Sequence, residues 1–266
     1  MRSSAILLAV LLSACATRLP PRPAGNPTPD PGAAASFESA TASCKGFRSI
    51  EGELSLSGRA GGERVRGRIL TGLESGGLAR LEAVAPFGAP FFILAGRNER
   101  ATLVLPRERR VLKDTGVRDV LERITGLTLG ADDLRLILSG CLVDNAAPSD
   151  GRQWGSEWKA VSIGPERVAY LRLRNGQWLL TAADYGPWHV DYSAHTGGFP
   201  RLVRVRLADA RTEADQIDIT ARIEQLEVNT QINPRAWDVE VPSDADPMTL
   251  DELRSIAPLA ERTKQN

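Results

Sequence analysis

Polar and apolar residues alternate with a period of two along much of this chain, and that pattern limits the folds open to it. In the stretch 64–69, three arginines alternate with Val65, Gly67 and Ile69, and a similar alternation runs through 217–224. Successive side chains of a β-strand point to opposite faces, so each run predicts a strand with one wet face and one covered face. Runs of this kind are typical of antiparallel sheets.

Turn residues separate these runs along the chain. Glycine pairs stand at 61–62, 76–77 and 197–198, and Asn175-Gly176 is the strongest hairpin signal in the sequence. We count about ten or eleven strands in all, which is more than a flat sheet holds without curling.

Three short helices accompany the strands. The helical spacing of apolar residues predicts one helix over 117–124 and a second that runs through Leu134 toward Gly140. A third is expected at the surface after Thr249, because Glu252 completes a capping box with that residue. The fold class is therefore mainly β with α, a curved antiparallel sheet over short helices. Periodicity leaves open whether the covered face holds a packed core or an apolar cavity.

The N-terminus has the layout of a secretory signal peptide. The apolar run 5–12 follows Arg2 and is too short to span a membrane, which takes about 20 apolar residues. The sequence Leu-Ser-Ala-Cys at 12–15 resembles the bacterial lipobox, which implies a signal peptide at 1–14 and a diacylglycerol and an N-acyl chain on Cys15. The alternative is an ordinary signal peptide with a chance cysteine near its cleavage site.

The residues after Cys15 predict a sorting signal and a tether. Ala16 stands where inner-membrane lipoproteins typically have Asp, so the resemblance implies sorting to the outer membrane of a Gram-negative bacterium. The prolines that follow alternate with Ala, Gly and Thr, too little apolar material to fold, so we expect 15–36 to be a lipidated, disordered tether. In polyproline geometry it would span at most about 65 Å. We place the folded domain at 37–245 and a C-terminal surface helix and tail at 246–266.

Two further cysteines, Cys44 and Cys141, lie just before the first strand and just after a helix. Unpaired thiols are unusual in the oxidising periplasm, so we expect a disulfide that ties the start of the domain to its middle. Two buried or unrelated thiols are the alternative, because a sequence does not give the distance between them.

The charge balance excludes one class of partner. The chain has 33 basic and 33 acidic residues, and removal of Arg2 with the signal peptide leaves a net charge of −1. A chain with no bulk electrostatic field has little attraction for nucleic acid, so we expect no nucleic-acid partner. The 42% hydrophobic content is enough for one substantial core, and we expect a monomer.

No pattern of residues predicts catalysis or a metal site. The two histidines, His189 and His195, are six residues apart, too far along a strand to share a metal ion. His189 and Asp191 share a strand face, yet no nucleophile motif or phosphate-binding loop accompanies them. Asp132 and Asp133 fit the start of a helix, where carboxylates favour the helix dipole. We therefore expect no enzyme, no catalytic residue, no metal and no cofactor beyond the covalent acyl groups.

Several motifs resemble the LolA/LolB lipoprotein carrier family, and particularly its outer-membrane receptor. Pro-Phe-Gly at 86–88 and the strand at 91–94 are similar to the receptor's Pro-Leu-Gly turn and the strand after it. The stretch 124–140 is similar to the family's helix-loop-helix, which ends in Leu-x-Gly. Further stretches similar to late strands of this family and of a related group of lipoproteins are 175–178, 191–192, 199–202 and 226–242.

The resemblance implies a half-barrel of antiparallel strands over helices, with an apolar cavity that receives acyl chains. The cavity candidates are Ile69, Phe91, Phe92 and Leu94. Phe87 stands at the position of the family's exposed leucine, which enters the membrane, so Phe87 is the candidate membrane-insertion residue. The alternative is that Phe87 folds back on Phe91 or Phe92 as part of the core.

The function that the resemblance implies is transfer without bond breaking. It is the function of an outer-membrane-anchored lipoprotein, facing the periplasm, that binds acyl chains of lipoproteins or lipids and assists their insertion into the outer membrane. The expected partners are the outer membrane, acylated lipoproteins or lipids, and a soluble periplasmic lipoprotein carrier. A non-catalytic scaffolding lipoprotein with a filled core is the alternative, because a scaffold needs no cavity.

Overall fold

The structure is a computed structural model that describes residues 22–97, 100–143, 147–213, 215–256 and 258–259. The strands are β1 (Thr28–Pro29), β2 (Ser49–Ala60), β3 (Glu63–Glu74), β4 (Leu78–Val84), β5 (Phe92–Arg97), β6 (Arg100–Leu105), β7 (Arg110–Thr115), β8 (Ser149–Trp154), β9 (Trp158–Ser162), β10 (Arg167–Arg174), β11 (Gln177–Tyr185), β12 (Trp188–Ser193), β13 (Leu202–Leu207), β14 (Ile217–Val228) and β15 (Asp246–Pro247). The helices are α1 (Ala33–Ala40), α2 (Val117–Thr125), α3 (Ala131–Ser139) and α4 (Leu250–Ile256), with 3₁₀ turns at Ala42–Cys44 and Pro234–Trp237.

All the strands belong to one open, curved sheet, which confirms the predicted fold class. Their order is β1-β8-β9-β10-β11-β12-β13-β14-β2-β3-β4-β5-β6-β7-β15. Neighbours are antiparallel except for β15, which pairs with β7 in parallel. The predicted number of ten or eleven strands is too low, since the described residues form 15. β1 and β15 have two residues each, too short to show any period.

The two faces of the sheet differ as the alternation predicts. On β3, Val65 and Ile69 are buried, whereas Arg64, Arg66 and Arg68 are exposed on the other face. We call these the inner and the outer face. The inner face carries a continuous apolar core that reaches from β4 and β5 to β10 and β11.

The helices cover the inner face. α3 packs against β2, β3 and β4, α2 packs against β5 and β6, and α1 packs against β8 to β11. The predicted end of the first helical segment is confirmed, because Gly126 has a φ of 75° and caps α2 in the left-handed conformation. Asp133 lies in the first turn of α3, where its carboxylate accepts a hydrogen bond from the Gly130 backbone N–H at 2.9 Å.

The predicted tether is wrong over its second half. Thr28 and Pro29 pair with β8 at the sheet edge, and the Asp30 carboxylate meets the Lys159 ammonium at 2.9 Å. Ala33 and Phe37 of α1 are then buried in the core. The segment is fixed because these few residues contribute apolar contacts and an ion pair, although its overall composition resembles that of a linker.

The predicted C-terminal boundary at 246 is also wrong. The Asp246 backbone N–H donates to the Arg109 carbonyl in the turn before β7, and the Met248 backbone N–H donates to the Val111 carbonyl of β7, each at 2.8 Å. The predicted capping box of Thr249 and Glu252 is present, with bonds of 2.7 and 3.3 Å. However, α4 is not a surface appendage, because Leu253 is fully buried and the helix packs against α2.

Cys44 and Cys141 form the predicted disulfide, with their Cα atoms 5.4 Å apart. Cys44 ends the 3₁₀ turn that follows α1, and Cys141 follows Gly140, the C-terminal cap of α3. The bond therefore ties the N-terminal segment to the helix that covers the middle of the sheet.

Candidate functional site

An exposed aromatic side chain marks the turn between β4 and β5. Phe87 is 90% exposed, and the described residues contain only one other exposed large apolar side chain, Leu70, at 42%. The predicted alternative, in which Phe87 folds back into the core, is therefore wrong for this structure. Pro86 precedes Phe87, and Gly88 follows it with a φ of 76°, a conformation that favours glycine.

Arg107 holds this turn in place from the neighbouring β6–β7 turn. Its Nε donates to the Ala89 carbonyl at 2.9 Å, and its Nη2 donates to the Phe87 carbonyl at 2.8 Å. The same guanidinium lies 4.3 Å from the centre of the Phe91 ring, a cation–π contact. Arg107 thus connects the exposed Phe87 to the partly buried Phe91.

The sequence gives no sign of this role for Arg107. The hydrogen bonds join residues 18 and 20 positions apart, and no local pattern links them. The four residues Pro86, Phe87, Gly88 and Arg107 form the candidate site, which we call the Phe87 turn.

The four predicted cavity residues belong to the apolar core or pack against it. Phe92, Leu94 and Ile69 are buried in the apolar core, and Phe91 packs against that core. In this structure they are parts of a packed interior, and their role in a cavity stays a prediction.

The C-terminal segment closes this interior beside β3. The Leu259 side chain lies 3.1 Å from the point where a Cβ of Gly67 would stand. The Arg66 backbone N–H donates to the Leu259 carbonyl at 3.3 Å. Met248 and Leu253 of the same segment are buried. Met248, Leu253 and Leu259 therefore belong to the apolar core that also contains Ile69.

Two surface cavities have linings that mix polar and apolar side chains. One of about 620 Å³ on the outer face is lined by four arginines, an aspartate and two hydroxyl side chains among its residues. Another of about 530 Å³ lies beside α2 and includes Glu63, Glu122 and Asp209. Both linings include charged side chains, which an acyl chain does not match.

A cluster around Asp184 fixes the start of the described chain to the outer face. Arg22 donates hydrogen bonds to the Asp184 carboxylate and, at 2.8 Å, to the Ala183 carbonyl. The Tyr170 hydroxyl donates to Asp184 at 2.9 Å, and His189 Nδ1 lies 2.6 Å from the same carboxylate. The chain thus wraps around the sheet edge formed by β1 and β8, with Arg22 on the outer face and α1 on the inner face.

Protonation states in this cluster favour an ion pair. Burial alone would raise the pKa of Asp184, but hydrogen bonds from Arg22, Tyr170 and His189 hold that pKa below its usual value. Burial, reinforced by the charge of Asp184, raises the pKa of Tyr170 to about 12. Asp184 therefore serves as a structural acceptor that is fully engaged by its neighbours.

The histidines and the other carboxylates do not meet in a site. His189 pairs with Asp184 rather than with Asp191, and Asp191 accepts a hydrogen bond from Arg206 at 2.8 Å. His195 lies beyond the end of β12. Within the described ranges, no group of three or more His, Cys, Asp or Glu side chains is placed to hold a metal ion. None of the helices in the described part of the chain is long and apolar enough to cross a membrane.

The open, curved antiparallel sheet over helices defines the fold class. No family model and no curated protein matches this sequence. Among solved structures, the chain is similar to a LolA superfamily protein from Nitrosomonas europaea, with a TM-score of 0.48, 6% identity and coverage of 77% of this chain and 98% of the other. It is also similar to a DUF1329 family protein from Desulfovibrio piger, with a TM-score of 0.44, 11% identity and coverage of 77% and 96%.

A further similar structure is the lipoprotein LppX from Mycobacterium tuberculosis, with a TM-score of 0.33, 9% identity and coverage of 77% and 98%. The first of these proteins comes from the superfamily that the sequence motifs resemble.

Proposed function

We propose that this protein is a non-enzymatic envelope lipoprotein that binds acyl chains of lipids or lipoproteins and assists their insertion into the outer membrane. In this proposal Cys15, which lies outside the described residues, carries the lipid anchor, and the folded domain faces the periplasm. Acylated lipoproteins or lipids and a soluble periplasmic carrier are the proposed partners. The resemblance of the sequence motifs to the LolA/LolB family supports the proposal.

The observation that carries the proposal is the exposure of Phe87. Burying a phenylalanine side chain is favourable by about 1.5 to 3 kcal/mol, so a side chain that is 90% exposed leaves that free energy unused. The two hydrogen bonds from Arg107 hold the turn outward, which favours contact with an apolar partner over collapse onto Phe91. A bilayer offers such a partner at the end of the sheet where the β4–β5 and β6–β7 turns meet.

Replacement of Phe87 with serine is expected to weaken binding to neutral phosphatidylcholine vesicles by about tenfold to a hundredfold. The chain from Arg22 to Asn266 serves for this test, since it keeps every described element and lacks the anchor. Vesicle flotation measures the bound fraction. Because Phe87 is almost fully exposed, its loss should change the free energy of unfolding by less than about 0.5 kcal/mol.

Leu70→Ser is the matched control, because it removes the other exposed large apolar side chain from the outer face of β3. It should bind vesicles as the unaltered chain does. If the two variants lost equal vesicle binding, or if Phe87→Ser lost none, the result would contradict a role of the Phe87 turn in membrane contact.

Acyl binding in this proposal requires an opening of the interior. In this proposal the element that moves is α4 with Leu259, since Leu259 covers the inner face beside Gly67 through one side-chain contact and one backbone hydrogen bond. Its displacement would uncover apolar surface on β3, and each buried CH₂ of an entering chain contributes about 0.8 kcal/mol.

The filled interior favours a second candidate function. A continuous core that includes Ile69, Phe92 and Leu94 also suits a scaffolding lipoprotein that binds no acyl chain. The two functions differ in one measurable property, the uptake of an acyl chain by the folded domain.

A further inference from the structure

The outer face carries a groove whose charge differs from that of the whole chain. The cavity of about 620 Å³ on this face is lined by Arg59, Arg64, Arg66, Arg204 and, as its one acidic side chain, Asp218. The lining therefore has more basic than acidic side chains, although the full sequence has equal numbers of the two. We call this cavity the arginine groove.

The sheet register places the groove residues in two rows. The first row runs across four neighbouring strands as Arg66, Ser57, Thr220 and Arg204, each directly opposite the next. Arginines thus stand at both ends with two hydroxyl side chains between them. Since neighbouring strands are about 4.8 Å apart, the row spans about 14 Å.

The second row brings like charges together. Arg64 of β3 stands directly opposite Arg59 of β2, and like charges in that position destabilise a sheet. Asp218, next to Arg59 on β14, is already bound by Arg204, whose Nε donates to its carboxylate at 2.7 Å. Arg59 and Arg66 have no acidic partner within 4.0 Å among the described residues. A bound anion would offset the positive charge of these two arginines.

We propose that the arginine groove binds phosphate groups. Guanidinium groups match phosphate oxygens in geometry, and hydroxyl side chains on the groove floor can donate further hydrogen bonds to them. The two exposed guanidinium groups of Arg59 and Arg66 suit a ligand with more than one negative charge. Such a group can come from a soluble phosphorylated molecule or from the headgroups of an anionic bilayer.

The arginine groove does not include the Phe87 turn, so the phosphate-binding proposal is tested separately from the proposed function. It lies on the outer face of β13, β14, β2 and β3, whereas acyl binding is proposed for the inner face. Neutral phosphatidylcholine vesicles, which test the Phe87 turn, carry no net charge to engage the arginines.

The test compares the Arg22–Asn266 chain with its Arg59→Gln/Arg66→Gln variant. Calorimetric titration with sodium pyrophosphate measures the soluble source. Flotation with phosphatidylcholine vesicles that contain phosphatidylglycerol, relative to vesicles without it, measures the headgroup source. Both arginines are exposed, so the variant should fold normally. We expect it to bind at least about tenfold more weakly, since one arginine near an anionic surface contributes about fivefold.

The control is Arg97→Gln/Arg174→Gln, which removes the same charge from two exposed arginines at the opposite end of the strands. If the groove variant loses pyrophosphate binding and the control variant does not, the result would support a soluble ligand. If the groove variant instead loses binding to phosphatidylglycerol vesicles, the result would support a headgroup. Binding of neither probe by the unaltered chain would overturn the proposal. So would equal losses in the two variants, because they would indicate a general effect of charge.

Discussion

Replacement of both Cys44 and Cys141 with alanine is expected to lower the free energy of unfolding by about 3 to 4 kcal/mol. The disulfide closes a loop between residues 97 positions apart, and its loss returns that loop's conformational freedom to the unfolded chain. It also releases the 3₁₀ turn after α1 from the end of α3. Urea unfolding followed by tryptophan fluorescence measures the change.

The unaltered chain treated with dithiothreitol is the control, because it loses the bond and keeps both side chains. It should unfold within about 1 kcal/mol of the double variant, a difference typical of small core changes. An unchanged urea midpoint after complete reduction would show that the bond does not stabilise the domain.

Replacement of Phe37 with alanine is expected to lower the free energy of unfolding by about 3 to 5 kcal/mol. Phe37 is 4% exposed and belongs to α1, which packs against β8 to β11. Phe37 directly follows the predicted tether 15–36, and α1 includes the last residues of that tether, so the measurement tests whether α1 belongs to the folded core. Thermal and urea unfolding of the Arg22–Asn266 chain both report it.

Glu38→Ala is the matched control, since it alters the exposed neighbour of Phe37 on the same helix. Its effect should be within about 0.5 kcal/mol of zero. If Phe37→Ala were equally neutral, α1 would contribute nothing to the core and the domain would begin after it.

The regular part of the fold was predictable because its signals are local. The alternation on β3 and the capping box of Thr249 and Glu252 can be read from neighbouring residues, and both are present. The two-residue strands β1 and β15 carry no period, so they escape this kind of analysis. The sequence of a helix does not show which element it packs against. For this reason α4 was expected at the surface, although Leu253 is buried.

The candidate site was predictable only in part. Phe87 stands out between Pro86 and Gly88, and the family resemblance indicates its role. Arg107 does not stand out, because its contacts to the turn depend on the pairing of β5 with β6. The contact of Arg22 with Asp184, across 162 positions, likewise depends on how the chain wraps around the β8 edge.

Closure of the interior by the C-terminal segment also depends on tertiary structure. Leu259 reaches the inner face because Gly67 leaves room for it on β3. In the sequence, Gly67 is one small residue in an alternating strand, and nothing near it points to a contact so far along the chain.

Native mass spectrometry of the Arg22–Asn266 chain, secreted to a periplasm and purified without detergent, tests the proposed acyl binding most directly. We expect a co-purifying acyl species that is lost on delipidation and regained when an acylated peptide is added. Leu259→Ala, which loosens the segment over β3, should increase the uptake, whereas the exposed Ser255→Ala should not. A clean mass with no uptake by any of the three chains would contradict acyl binding and would favour the scaffolding lipoprotein.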